Sequence, residues 1–216
     1  RRAHQVLDLP EEKQHVLLSC GQPSPGVQVR IVDSNHCDVG PREVGELIVR
    51  SASIMLEYWR KPDETQEVMA EGWLHTGDLG HYDEKGFIYL VDRKKDMIVS
   101  GGENVYSREV EEVLYKHPAV AEAAVIGVPD PVWVERVHAE VVLLEEAPAV
   151  TEDALIAFCK EHIASYKAPK SIAFTHELPK NPQGKVLKRE IKKRYQEADT
   201  PVESKVSERL HQHSDA

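Results

Sequence analysis

GWLHTGDLGHYDEKGFIYLVDRKKDMIVSGGENVY, residues 72–106, decides how the rest of the chain is read. It is dense in glycine and charge, and short apolar alternations interrupt it. DLGHYDEKGFIYLVD reads as a tight hairpin turning at Asp83-Glu84-Lys85-Gly86, because alternating runs flank a cluster of turn formers. Arg93, Lys94, Lys95 and Asp96 then make a charged joint. Met97-Ile98-Val99 reads as a short strand, and Ser100-Gly101-Gly102 as a loop whose backbone a ligand can approach closely. Small strands are expected before this stretch and a separate α+β unit after it. Polar groups at a joint between two units mark the first place to look for a working site.

The 216 residues suffice for one ordinary domain or two small ones. A composition of 41% apolar and 30% charged residues fits a folded, soluble protein. The net charge of −10 argues against broad nucleic-acid binding. No apolar run is long enough to span a membrane, and RRAHQVLDLP has no apolar core that would direct export. Cys20, Cys37 and Cys159 are scattered without a CxxC pattern, which suggests reduced, structural thiols in the cytoplasm and no metal site.

Outward from the central stretch, residues 1 to about 20 have weak periodicity and read as a frayed end. Val27 to Asp33 and Gly45 to Arg50 alternate as paired strands. Ser51 to Tyr58 is ambiguous, and Asp63 to Met69 suits a short helix with acids in its first turn. In the second unit, Ser107 is placed to cap a helix over Arg108 to His117 whose inner face holds Val110, Val113, Leu114 and His117. Val120 to Val128 reads as a strand broken by Pro129-Asp130-Pro131, and Val137 to Leu144 as another. Thr151 can cap a helix from Glu152 to about Ala164, with Leu155, Phe158, Cys159 and Ile163 inward. Ser171 to Thr175 is a short strand. A Pro/Gly loop then leads into a basic terminal helix, and the polar chain after Gln196 reads as a disordered tail. The fold class is α+β, a small sheet covered by helices following a β-rich piece.

Several residues could carry chemistry, and each has a plainer alternative. Asp78 follows Thr76-Gly77 at the start of a strand. Its acceptor-only carboxylate suits a ribose diol, or it is a turn aspartate bonding its own backbone. The fork of Arg93 could hold a phosphate or sugar oxygen, or remain a solvated charge. Lys95 lies where two units meet and suits a hinge, or is a linker lysine. Gly101 and Gly102 could let a narrow substrate slide along the backbone, or merely form a turn. Lys185, in NPQGK, could reach a developing phosphate charge, or sit on a surface loop. Lys188, Arg189, Lys192, Lys193 and Arg194 read as a solvated helix face, Glu103 and Glu109 as structural acids, and Trp133 as packing or a lid.

GWLHTGDLG, DRKKDMIVSGGENVYSREVE and PKNPQGKVLKRE, in that order, resemble the C-terminal half of an acyl-CoA synthetase of the adenylate-forming (AMP-binding) superfamily. The resemblance covers about residues 20–195. SGGENVY is more similar to medium-chain, long-chain or aryl acyl-CoA ligases than to luciferases. Such enzymes activate a carboxylic acid with ATP as an acyl-adenylate, and a thiol, usually that of CoA, then takes the acyl group. The resemblance implies that residues 1–94 end the large AMP-binding domain, that 95–195 are the small C-terminal lid domain, and that 196–216 are tail. It implies that Asp78 holds the ribose of ATP or AMP, that Arg93 contacts the same nucleotide, and that Lys95 is the hinge. Gly101 and Gly102 would line the pantetheine tunnel, and Lys185 would be the catalytic lysine of adenylation.

The 216 residues hold no Ser/Thr/Gly-rich loop ending in Pro-Lys-Gly and no aromatic-Gly-x-Thr-Glu motif. The resemblance assigns the phosphates, Mg²⁺ and the acyl pocket to such parts, so the fragment is expected to be inactive alone. Val134 stands where the family usually has glycine after tryptophan. Two other readings remain: a ligase loading the phosphopantetheine of an acyl carrier protein, and a non-catalytic domain that binds or regulates a partner.

Overall fold

The computed structural model of the chain describes residues 11–198. It divides into two compact units, Arg1–Lys95 and Asp96–Ala216. The expected tail lies, from residue 199 onward, outside the described residues, and the terminal helix itself runs past Gln196 to Ala198.

In the first unit a 3₁₀ turn covers Glu11–Leu18, where a frayed end was expected. Its Val16 is buried against Phe87 and Tyr89, partners too distant in sequence for local periodicity to reveal. β1 (Gln28–Val32) and β2 (Gly45–Arg50) pair antiparallel, with Val32 opposite Glu46. Ser51 to Tyr58 forms neither helix nor strand. Helix α1 (Pro62–Val68) starts on a proline that has no N–H to leave unpaired, and Asp63 and Glu64 face its positive end. The two-residue β3 (Met69–Ala70), β4 (Trp73–Tyr82) and β5 (Ile88–Arg93) complete the sheet. β4 is its spine: β2 runs along one side, and β3 and β5 follow one another along the other. Ile31, Leu47 and Ile88 form the apolar face, packed by Val29, Val39 and Tyr82. The expected hairpin joins β4 to β5, and the Asp83 carboxylate accepts the N–H groups of Lys85 and Phe87 to hold its turn.

The second unit contains β6 (Ile98–Ser100), β7 (Glu103–Val105), α2 (Ser107–Leu114), β8 (Val120–Asp130), β9 (Val134–Leu143), α3 (Glu152–His162), β10 (Ser171–Phe174) and α4 (Lys188–Ala198). β9 is the centre: β8 pairs it antiparallel, β10 pairs it parallel, and β6 pairs it at Ser100–Val134 and carries β7 beyond. Alternation along β8 sorts the helices. Ala123 and Val125 point into the large core with α2 and α3, including Val110, Leu114, Leu155 and Cys159. Ala124, Ile126 and Val128 point the other way, against Leu178 and Ile191 of the α4 side. The result is the α+β sheet covered by helices that the sequence leads one to expect, and the structure adds that α2 and α3 lie on one face and α4 on the other.

Local details differ from the expectation. Tyr106, not Ser107, occupies the N-cap of α2, and no side chain caps it. Ser107 is instead the first helical residue and buried. Thr151 does cap α3, accepting the N–H of Ala154 at 3.2 Å. β8 runs through Pro129 to Asp130, because it is an edge strand that pairs with β9 alone and an edge tolerates a missing donor. The three cysteines are free, but only Cys159 is structural; Cys20 and Cys37 are exposed. Burial pushes the Cys159 thiol up to about 11, so it stays protonated. Among the described residues no helix is long and apolar enough to cross a membrane.

Candidate functional site

Asp78 and Arg93 face one another on β4 and β5, with Arg93 Nε 2.8 Å from Asp78 Oδ1. The pairing depends on a defect. Carried on unbroken from Tyr82 opposite Ile88, the register would set Asp78 against Asp92. An irregularity between Leu79 and Gly80 shifts it by one, so that Arg93 arrives instead. Bulges that re-aim a side chain recur beside functional sites. Gly80 is required there, since a Cβ would fall 2.5 Å from the carbonyl oxygen of Tyr89. Asp78 is therefore not a turn aspartate bonding its own backbone, and Arg93 is not a lone solvated charge. Both stay partly open to solvent, with a carboxylate acceptor and a guanidinium fork side by side.

Asp78 lies within β4 and not at its start, and a buried carboxylate supports the irregularity just before it, where β4 shifts register against β2 and Gly77 takes φ +69°. Glu46, on β2, meets Lys94 Nζ at 2.8 Å and His75 Nδ1 at 3.3 Å, and accepts the Gly77 N–H at 3.3 Å. Burial alone would raise its pKa, but the hydrogen bonds from Lys94 and His75 outweigh that and hold it below the usual carboxylate range. Lys94 thus ties the end of β5 to the sheet. Lys95 follows it, exposed, in the 3₁₀ turn Lys94–Asp96.

In the second unit Gly101 and Gly102 form the two-residue turn between β6 and β7, with φ of +61° and +85°. Both angles suit glycine and a tight hairpin. The short β7 is not legible in the sequence because Glu103-Asn104-Val105 carries a single apolar side chain, where the equally short β6 has Ile98 and Val99. Trp133 lies over Gly101: the Gly101 N–H donates to its carbonyl at 2.9 Å, and a Cβ on Gly101 would fall 2.7 Å from the indole. Trp133 is packing here, and Lys170 Nζ stands 5.5 Å from its ring centre.

Lys185 is exposed at the end of a turn closed on itself. Asn181 Oδ1 accepts the N–H groups of Gln183 and Lys185, the Asn181 N–H donates to the Lys185 carbonyl, and the Leu187 N–H donates to Pro179. The basic face expected on α4 is only partly solvated. Lys188 Nζ reaches Glu111 and Ser107, both at 2.6 Å, and Arg194 reaches the buried Glu140 at 3.3 Å. Sequence reading missed these because the acids lie far back in the chain. Glu109 is structural as expected, held by Lys167 at 2.7 Å. Among the described residues no group of three or more His, Cys, Asp or Glu side chains is placed to hold a metal ion.

Two family descriptions match the chain: AMP-binding enzyme over residues 3–59 and AMP-binding enzyme C-terminal domain over 109–185. The chain belongs to the AMP-binding, adenylate-forming enzyme family. It is 47% identical over 174 residues to the long-chain-fatty-acid–CoA ligase of Salmonella typhimurium, covering 81% of this chain and 31% of that protein. It is 42% identical over 180 residues to the fatty acid–[acyl-carrier-protein] ligase ScoC of Streptomyces coeruleorubidus, covering 83% and 34%. The o-succinylbenzoate CoA synthetase of Bacillus subtilis, solved with its acyl-adenylate intermediate, superposes with a TM-score of 0.76 at 39% identity, covering 85% of this chain and 37% of that one. The chain thus spans about a third of each of these relatives and corresponds to their C-terminal portion.

Proposed function

We propose that this chain is the C-terminal part of an ATP-dependent ligase that activates a carboxylic acid, most simply a fatty acid, as an acyl-adenylate and passes the acyl group to CoA. The observation that carries the reading is the Asp78–Arg93 pair, brought together by the irregularity in β4–β5 inside the motif that the resemblance assigns to the nucleotide. Residues 1–94 end the large domain, and 95–195 form the small lid domain, which pivots at Lys95. The three free thiols suit a reducing cytoplasm.

In the first half-reaction a carboxylate oxygen bonds to the α-phosphorus of ATP and pyrophosphate leaves. Asp78 accepts from the ribose hydroxyls, and Arg93 orients that carboxylate and contacts the nucleotide. Lys185 donates its compact positive charge to the oxygens on which charge develops. In the second half-reaction a thiolate attacks the acyl carbon and AMP leaves. The thiol arm passes along the Gly101–Gly102 backbone, which has no side chains to obstruct it. Rotation at Lys95 withdraws Lys185 in between.

The test uses a ligase that contains this chain. Lys185→Ala is expected to lower ATP–pyrophosphate exchange by about a hundredfold, the scale of losing one donor aimed at developing charge. Thioester formation from preformed acyl-adenylate should fall far less. Equal loss in both would remove Lys185 from this role. The Streptomyces relative favours a second acceptor, a carrier-protein phosphopantetheine. Competition between CoA and a holo-carrier protein decides between them.

A further inference from the structure

β8 is an edge strand, and the helices lie on opposite faces of its sheet, α2 on one and α4 on the other. Lys188, the first residue of α4, nevertheless reaches α2. Its ammonium lies 2.6 Å from Glu111 Oε1 and 2.6 Å from Ser107 Oγ. The side chains of Lys188 and Glu111 are only 16% and 15% exposed. Glu111 Oε1 also accepts the N–H of Val125, the outward donor of the edge strand, at 2.8 Å. The three groups therefore form a clasp around the open edge of β8. A buried lysine makes such a contact only when its charge is met, and here a carboxylate and a hydroxyl meet it.

We infer that Lys188 is a positioning residue for Lys185, an inference that rests on the role proposed for Lys185. Val186 and Leu187 join the two, and neither is slack. Val186 packs against the α4-side core and bridges to Lys180, and the Leu187 N–H donates to Pro179 at 2.7 Å. The clasp fixes where the turn Asn181–Lys185 ends. It also fixes that turn against the start of α2, which directly follows the Gly101–Gly102 hairpin and β7. The two features of this unit proposed to act in successive half-reactions are thereby held as one piece. A lysine that must meet developing charge loses its effect with small displacements, so the backbone presenting it has to be set.

The experiment is residue-resolved amide hydrogen exchange on the 216-residue chain, comparing wild type, Lys188→Met and Lys188→Arg. Lys188→Met should speed exchange at Gly184, Lys185 and Leu187 by about tenfold or more, leaving β9 amides unchanged. Lys188→Arg, which keeps the charge, should restore most of the protection. Uniform acceleration across the unit would reduce Lys188 to a plain stabilising residue and overturn the inference, as would unchanged exchange at the turn. If Lys188→Met does not fold, Ser107→Ala, which deletes one hydroxyl, must loosen the same three amides, and its failure to do so overturns the inference equally. None of these readings depends on turnover, so failure of the Lys185→Ala test above would be told apart.

Discussion

Val134 adopts φ +69°, a left-handed conformation that suits glycine and strains a β-branched residue. The residue is 69% exposed, so little burial offsets the strain. The family resemblance expects glycine at this place, and the geometry supplies the reason. Replacing Val134 by Gly should remove about 1–3 kcal/mol of strain, while the greater freedom of the unfolded chain takes back about 0.5–1 kcal/mol. The net expectation is a gain of about 1 kcal/mol and a melting point higher by about 2–4 °C. Thermal unfolding of Val134→Gly checks this, and a lowered midpoint would show that the surroundings carry the strained conformation without cost. The same scale shows where sequence reading stops. Asp78 and Arg93 can each be singled out from their motif. That they meet depends on a one-residue shift at Leu79–Gly80, and the turn at Asp83–Gly86 gives no hint of it.

Among the elements, strands that alternate over five or more residues were legible, as was α3 with its threonine cap. β3 and β7 were not: β3 has only two residues, and β7 (Glu103-Asn104-Val105) has a single apolar side chain, whereas the equally short β6 shows itself by Ile98 and Val99. Pro129 misled for a different reason: proline argues against a central strand, and β8 lies at an edge. The contact of β9 with α4 was also hidden, and it carries a pH dependence. His138, buried on β9, lies 2.7 Å from Ser171 Oγ through Nδ1 and 2.7 Å from the Tyr195 hydroxyl of α4 through Nε2. Burial, then the nearby Arg136, push its pKa down to about 4 against a pull upward from Glu152. The unfolded chain, with His near 6.5, binds the proton first. The stabilising contribution is therefore complete above about pH 6.5 and is lost as pH falls toward 4, by at most about 3 kcal/mol. Urea unfolding of wild type and His138→Gln from pH 7.5 to 4.5 measures it. The difference in stability between the two should shrink by more than about 1 kcal/mol across that range. A constant difference would mean that the ring is not held neutral.

At the scale of the whole molecule, each unit has its own apolar interior, so each can hold its candidate residues in place without the other. Fold and catalysis separate here. The roles proposed for Asp78, Arg93 and Lys185 are to accept from a ribose, orient a nucleotide and donate to a charged oxygen. The 216 residues contain no stretch of the kind that cradles the phosphates, and they span about a third of the relatives they match. A lone lysine and a carboxylate–guanidinium pair do not assemble an in-line displacement, because positioning the reacting atoms supplies most of its acceleration. The purified 216-residue chain should accordingly show no ATP–pyrophosphate exchange with fatty acids above a no-protein control. Fusing residues 20–195 to the preceding two thirds of the Bacillus subtilis synthetase should restore exchange with o-succinylbenzoate, and Lys185→Ala in the fusion should abolish the gain. Exchange by the chain alone would place the phosphate-binding groups within the residues described here. An inactive but folded fusion would count against the proposal that a pivot at Lys95 delivers Lys185.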